Sequence, residues 1–221
     1  MEVLQCLESR RSSRAFLDKE VDHVLLKRVL RSAGRSPSYM NTQPWEIFVV
    51  EGGTKKRLAE RLWDTAVGGA RPRPDVPFPD RWPEALDQRT KEHRLRRFRY
   101  LGVDPEDAEK VRASYMLNFR FFDAPCVVFV GMDRTLTPWS LFDLGAYVHG
   151  LLLALESEGL GGCPQAMAVA YPDIIRDELR LDESLSIVIA VSLGYPDPDA
   201  PINGYRSTRK ELEDSVRWYG R

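Results

Sequence analysis

Apolar positions along this chain follow two periods, and the switches between them mark out the elements. Residues 2–9 predict a short helix that stops at a polar, basic loop, Arg10-Arg11-Ser12-Ser13-Arg14. Asp22 stands where an N-cap belongs, and Leu25, Leu26, Val29, Leu30 and Ala33 then share one helical face. Gly34 and Pro37 end that helix. The run Trp45-Glu46-Ile47-Phe48-Val49-Val50 predicts a strand, being rich in β-branched and aromatic residues. Thr54 is placed to cap a helix reaching about Trp63. Residues 68–83 are too dense in Pro, Gly and Arg to hold regular structure for long. Helical patterns return over 84–100 and 105–122. A second strand, Cys126-Val127-Val128-Phe129-Val130, follows Pro125, and a third runs from Ile187 to Leu193. From Asp197 the chain is polar with several prolines and reads as an extended arm.

Residues 139–158 are apolar nearly all round, so this helix is expected to be buried on several sides. At about 30 Å it is long enough either to thread the core of a monomer or to form a subunit interface. Periodicity does not separate the two. Few strands and more helix make the fold α+β or mixed α/β, and 221 residues suit one large domain or two small ones.

Charge narrows the partners. Lys plus Arg is 32 and Asp plus Glu is 33, so the whole chain has no general attraction to nucleic acid or to an anionic membrane. Any anion site must be local. Cys6, Cys126 and Cys163 form no C-x-x-C pair and are odd in number, which predicts reduced thiols in a cytoplasmic setting. His23, His93 and His149 are scattered, against a zinc site. The most apolar stretch, Trp139 to Leu155, is broken by Asp143 and His149 and falls short of the ~20 residues a membrane span needs. The N-terminus has no charged-then-apolar signal pattern.

Four segments carry candidate chemistry, each beside a plainer reading. Arg10-Arg11-Ser12-Ser13-Arg14 offers guanidinium forks suited to a phosphate, or is a solvated basic loop. Pro37-Ser38-Tyr39-Met40-Asn41-Thr42-Gln43-Pro44-Trp45 is a polar loop before a strand, where ligand contacts or ordinary turn chemistry both fit. Gly159-Leu160-Gly161-Gly162-Cys163-Pro164-Gln165-Ala166 lacks the G-x-G-x-x-G spacing and follows a helix, so it is no dinucleotide loop. It is a glycine C-cap, or a place where backbone N–H groups approach a flat ligand. Asn203-Gly204-Tyr205-Arg206-Ser207-Thr208-Arg209-Lys210 is basic and hydroxyl-bearing, or a solvated arm.

Taken together and in this order, the segments resemble the FMN-dependent nitroreductase family. The resemblance adds Ser36, Gly194-Tyr195 and the stretch Asn118-Phe119-Arg120-Phe121-Phe122-Asp123-Ala124-Pro125. Cys163-Pro164-Gln165 after the long helix leans toward the nitrobenzoate-reductase-like branch. The likeness covers nearly the whole chain and is weakest between about 64 and 112.

The resemblance implies an α+β fold over residues 1–221 as one domain, with a central, mostly antiparallel sheet flanked by helices. It implies an intertwined homodimer in which 139–158 lies at or near the interface, with a C-terminal arm over about 197–221. It implies two FMN sites, each built by both chains. Arg10, Ser12 and Arg14 would contact the phosphate, with Arg11 close by and Arg206 and Arg209 joining from the far end of the chain. Pro37, Ser38, Tyr39 and Asn41 would come from the partner chain, and Pro164, Gln165 and Ala166 would lie along the flavin ring. The implied reaction carries reducing equivalents from NAD(P)H through the flavin to nitroaromatic or quinone acceptors in a ping-pong scheme, with no protein residue as an essential acid or base and no metal. A same-fold enzyme of other specificity (a reductive dehalogenase or heterocycle dehydrogenase) and a non-catalytic flavin sensor remain open alternatives. Residues 64–112 are expected to form a helical flap, whose Arg89, Arg94, Arg96, Arg97 and Arg99 with Trp82, Phe98 and Tyr100 suit an anionic aromatic substrate or are simply a solvated face.

Overall fold

Period-two alternation in one strand organises the molecule. In the computed structural model, which describes residues 2–220, β2 spans Cys126–Asp133. Its Val128 and Val130 join one hydrophobic cluster with Leu144, Leu151 and Val191, while Val127 and Phe129 join another with Leu58, Phe121 and Ile175. A strand buried on both faces needs a layer on each side. Helices α2 (His23–Ala33) and α6 (Pro138–Ser157) supply one layer. Helices α3 (Gly52–Val67) and α7 (Pro172–Leu179) supply the other.

Among the described residues the sheet has four strands in the order β1-β2-β4-β3, every neighbouring pair antiparallel. β1 is Glu46–Glu51, β3 is Gly161–Gln165 and β4 is Leu185–Gly194. Phe48 stands opposite Phe129, and Val128 opposite Val191. The register shifts at Val130/Gly131, where a Cβ on Gly131 would come within 2.8 Å of the Ser186 carbonyl.

Several expectations hold. Asp22 caps α2, accepting from the Val24 and Leu25 amides at 2.9 and 3.0 Å. The first helix, α1, is Val3–Ser9, and α4 (Glu84–Tyr100) follows the irregular 68–83 stretch. Others change. The helix expected from Thr54 begins at Gly52 behind Glu51, and Thr54 instead meets Arg57 at 3.1 Å. The helix expected over 105–122 is α5, Ala108–Met116, capped by Asp107. The chain tightens into a 3-10 segment over Leu117–Asp123, in which Phe121, Phe122 and Asp123 take positive φ and turn the chain so that Phe119, Phe121 and Phe122 are all buried.

The largest correction is β3, which the pattern reads as a helix cap and loop. Two glycines and a proline hide a strand, and each has a spatial reason. A Cβ on Gly161 would strike Ser13 and Pro196, and one on Gly162 would lie 2.9 Å from Leu152 and Leu155. Pro164 is tolerated because β3 is the end strand of the sheet, and the bridge on its outer side is made at Gly162, not at Pro164. α7 lies where no element is predicted; its Pro172 occupies the helix's first turn, where a missing N–H costs nothing.

The irregular stretch is held by one carboxylate. Asp75 accepts from the Arg176 guanidinium, from Arg134 at 3.2 Å and from the Ile187 amide at 2.8 Å. Both Asp75 and Arg176 are almost fully buried. Burial alone would raise the Asp75 pKa, but the Arg176 and Ile187 hydrogen bonds and the neighbouring arginines hold it below the ordinary carboxylate value. Breaking such a pair leaves a buried guanidinium short of its partner. Asp75→Asn is therefore expected to lower unfolding free energy by about 3 kcal/mol at pH 7. Because the folded pKa is depressed, Asp75's contribution is present above about pH 4 and lost as pH falls through the folded value. Denaturant curves of both proteins should thus converge on acidification; a gap unchanged at low pH would refute this role.

Candidate functional site

The site begins where α1 ends. Ser12 bridges to Gly162 in parallel, and the Ser13 amide donates to the Gly162 carbonyl at 3.2 Å. Residues 12–14 are thus pinned against β3. Ser13 turns inward and is 2% exposed, so its neighbours Ser12 and Arg14 face the other way. Both line a cavity of about 350 Å³ with Arg10 and Arg11.

The other half of that cavity comes from the opposite end of the chain. Phe16 bridges to Pro196, and the Leu17 amide donates to the Tyr195 carbonyl at 2.9 Å. Asn203 then fastens the arm, within α8 (Pro201–Gly204). Its side-chain oxygen accepts from the Arg14 amide at 2.8 Å, and its amide nitrogen donates to the carbonyls of Ala15 and Asp197 at 2.8 and 2.9 Å. This residue is 2% exposed. Arg206 and Arg209 follow directly and line the same cavity as the first three arginines.

The electrostatics there are lopsided. Among the described residues, none of Arg10, Arg11, Arg14, Arg206 and Arg209 forms an ion pair with a carboxylate. The Nε atoms of Arg10 and Arg11 are buried and bonded to nothing. Buried donors left without partners are costly. A phosphate monoester, with about −1.5 to −2 charges and three acceptor oxygens, supplies what they lack. The residues present therefore fit such a group.

Arg14 also lines a second cavity of about 550 Å³, so the two lobes meet at this residue. Cys163, Pro164, Gln165 and Ala166 form one wall, and Arg97, Leu101, Tyr115 and Phe122 another. The Gln165 side chain is consumed internally: its oxygen accepts from the Ser192 hydroxyl, and its nitrogen reaches the Asn118 side-chain oxygen at 3.2 Å. It locks this wall in place, leaving the backbone and Pro164 and Ala166 to meet a ligand. Burial pushes the Cys163 thiol pKa up, so it is not a thiolate at neutral pH.

Among the residues singled out in the sequence, Arg10, Arg11, Ser12, Arg14, Arg206 and Arg209 come together in the first lobe, and Pro164, Gln165 and Ala166 in the second. Pro37, Ser38, Tyr39 and Asn41 line neither lobe of their own chain. Their loop sits on α6, with the Tyr39 amide donating to Asp143 at 3.1 Å and its ring stacked on Trp139 at 6.2 Å. The arginine run divides: Arg97 lines the second lobe, while Arg89, Arg94 and Arg99 are exposed. Trp82 is exposed and Phe98 fully buried, so neither can stack on a ligand in that lobe. Tyr100 packs 5.6 Å from Tyr205, where a Cβ on Gly204 would strike its hydroxyl.

Sequence reasoning missed one contributor, His93, which lines the first lobe; Arg97, singled out within the arginine run, lines the second. Their i, i+4 spacing on α4 places both on one helix face, a signal visible in the sequence. Burial first and then the Arg14 charge lower the Arg97 pKa, and its Nε is buried without a partner.

A family model described as the nitroreductase family matches residues 7–195. Nitroreductase NfnB of Mycolicibacterium smegmatis is 32% identical over 215 residues, covering 96% of this chain and 90% of that protein. A 4-nitrobenzoate reductase of Pseudomonas putida is 33% identical over 213 residues, 96% of this chain and 93% of that one. Among solved structures, an FMN and NADPH-dependent nitroreductase NfnB from Sphigopyxis sp. strain HMH superposes with a TM-score of 0.96 at 29% identity, over 100% of both chains.

Asn203 joins the two ends of the chain at the cavity, and its removal strips the part-buried Arg14 amide and Asp197 carbonyl of their partner, while the Ala15 carbonyl keeps the Asp197 amide at 3.1 Å. Asn203→Ala is expected to cost about 2 kcal/mol of stability and to speed amide hydrogen exchange at Arg14 and across 205–210. Unchanged exchange in those segments would show that the arm is held by something else.

Proposed function

The chain belongs to the nitroreductase family, and from its site we propose that it is an FMN- and NAD(P)H-dependent oxidoreductase that reduces nitroaromatic compounds as a homodimer. The observation that carries the cofactor is the cluster of five arginines from both chain ends, without carboxylate partners and with two buried, unbonded Nε atoms. Arg10, Arg11, Ser12, Arg14, Arg206 and Arg209 hold the phosphate. Pro164, Gln165 and Ala166 support one side of the ring. When bound, FMN supplies the redox chemistry, accepting electrons from NAD(P)H and passing them to the acceptor. NADPH dependence of the Sphigopyxis relative favours NADPH as donor.

Two features support the homodimer. The outer side of α6 exposes Trp139 at 68% and Phe142 at 73%, large apolar surface of the kind that a second copy covers. The 37–41 loop, remote from its own chain's cavities, is then free to serve the other subunit's site. Residues 64–112 act as the flap, since Arg97 of α4 and Leu101 and Val103 just after it wall the second lobe. The whole chain works as one domain. The setting is cytoplasmic: all three cysteines are buried and unpaired, which suits a reducing compartment. No described helix is long and apolar enough to cross a membrane.

The acceptor is a small aromatic compound, because the second lobe is walled largely by apolar side chains beside the ring support. Arg97, with its unpaired Nε in that wall, favours one bearing an anionic substituent. The P. putida relative, a 4-nitrobenzoate reductase, agrees with this class.

Anaerobic addition of NADPH to the FMN-loaded protein should bleach the flavin bands, and 4-nitrobenzoate should restore them. Bands that persist would point to a flavin-binding protein without turnover. Arg97→Ala should lower kcat/KM for 4-nitrobenzoate about ten-fold more than for uncharged nitrobenzene. Equal losses for both substrates would remove Arg97 from acceptor selection.

A further inference from the structure

We propose that His93 is a contact for the cofactor's phosphate that takes up a proton as the cofactor binds, supplied by α4 rather than by either chain end that holds the arginines. The inference rests on the FMN reading above. His93 lines the same cavity as Arg10, Arg11, Arg14, Arg206 and Arg209. Its ring is held in place: the Tyr205 hydroxyl lies 3.3 Å from Nδ1, and the two rings sit 5.7 Å apart. Tyr205 directly precedes Arg206, so imidazole and guanidinium are set side by side by one stretch of arm. With Nδ1 engaged, Nε2 is the nitrogen left for a ligand, and a protonated imidazole donates from both nitrogens.

The charges around the ring explain why a proton must arrive with the phosphate. Arg96 and Arg97 face it from its own helix, Arg14 from the N-terminal loop and Arg209 from the arm. Among the described residues, Glu8, from α1, is the one carboxylate lining the cavity. Burial first, and then Arg97, Arg14, Arg96 and Arg209, push the His93 pKa below its ordinary value. The ring is therefore neutral near pH 7 while the cradle is free. A bound phosphate dianion reverses the sign of the local field and raises that pKa. Affinity gained through His93 is then present below its bound-state pKa and lost as pH rises through it. Phosphate titrates in the same range, with a second pKa of about 6, so the effect is read as a difference between proteins rather than from one pH curve. α4 also carries Arg97 into the second lobe, so a filled phosphate site tethers the helix that walls the acceptor cavity.

The test is calorimetric titration of FMN into the apoprotein at pH 6.5, in two buffers of different ionisation enthalpy, for wild type, His93→Gln and His93→Lys. Riboflavin, which lacks the phosphate, serves as the parallel probe. Wild type should take up more protons per FMN than His93→Gln, by as much as one. His93→Gln should bind FMN about ten-fold more weakly at pH 6.5, with the gap closing toward pH 9. His93→Lys, which holds its charge to higher pH than an imidazole, should retain FMN binding at pH 9 better than His93→Gln and take up less than the wild-type proton at pH 6.5. All three should bind riboflavin alike. Equal proton uptake by wild type and His93→Gln, a deficit as large with riboflavin, or a lysine variant no better than the glutamine one would overturn the inference while leaving the FMN reading standing. Failure of every protein to bind FMN would overturn both.

Discussion

Like charges do not gather without something to offset them, and here five guanidinium groups line one cavity with no carboxylate paired to any of them among the described residues. Their repulsion is opposed by backbone. Ser12 and Ser13 are strapped to β3, and Asn203 ties the arm to Arg14 and Ala15. The folded scaffold thus holds positive charge in place in advance of a ligand. Such preorganisation makes an anion site strong, since the donors need not reorganise when the anion arrives. It also makes the site's position a property of the sheet edge: moving β3 moves the whole cradle.

The sheet explains why the two lobes adjoin. β3 is the edge strand, so one side of it is paired to β4 and the other is open for the N-terminal loop. Its Gly161 and Gly162 admit Ser13 and α6 at close range, and its Cys163 to Gln165 continue into the wall of the second lobe. Gln165 then locks that wall to Ser192 and Asn118. A single five-residue strand therefore positions the arginine cluster at one end and Pro164 to Ala166 at the other. The opposing layer keeps α4 and α5 nearby through the fastened 68–83 stretch, where Asp75 gathers Arg134, Arg176 and the Ile187 amide.

Much of this was legible from residues alone, for definable reasons. Asp22 and the Leu25, Leu26, Val29 face gave α2 correctly, because capping and helical period are local signals. β2 read cleanly as a β-branched run after a proline. β3 did not, because its glycines and proline answer to contacts with Ser13, Leu152 and Pro196, far away in the chain. The left-handed turn at Phe121–Asp123 was invisible for the same reason: its strain is accepted for the burial of three phenylalanines. In the site, arginine clusters announced themselves by composition. The sequence shows Asn203 only as one residue of the basic arm, and the i, i+4 spacing of His93 and Arg97 does not reveal the distant tyrosine that aims the imidazole. The 37–41 loop stands out in the sequence, but a single chain does not bring it to either cavity.

The most direct measurement is a crystal structure of the FMN-reconstituted protein, which locates the phosphorus atom. We expect it within hydrogen-bonding reach of Arg10, Arg11, Arg14, Arg206 and Arg209, with the ring along Pro164 to Ala166 and the 37–41 loop of a second subunit closing the site. Phosphorus density elsewhere, or an empty arginine cradle in FMN-saturated crystals, would contradict the assignment of this cavity.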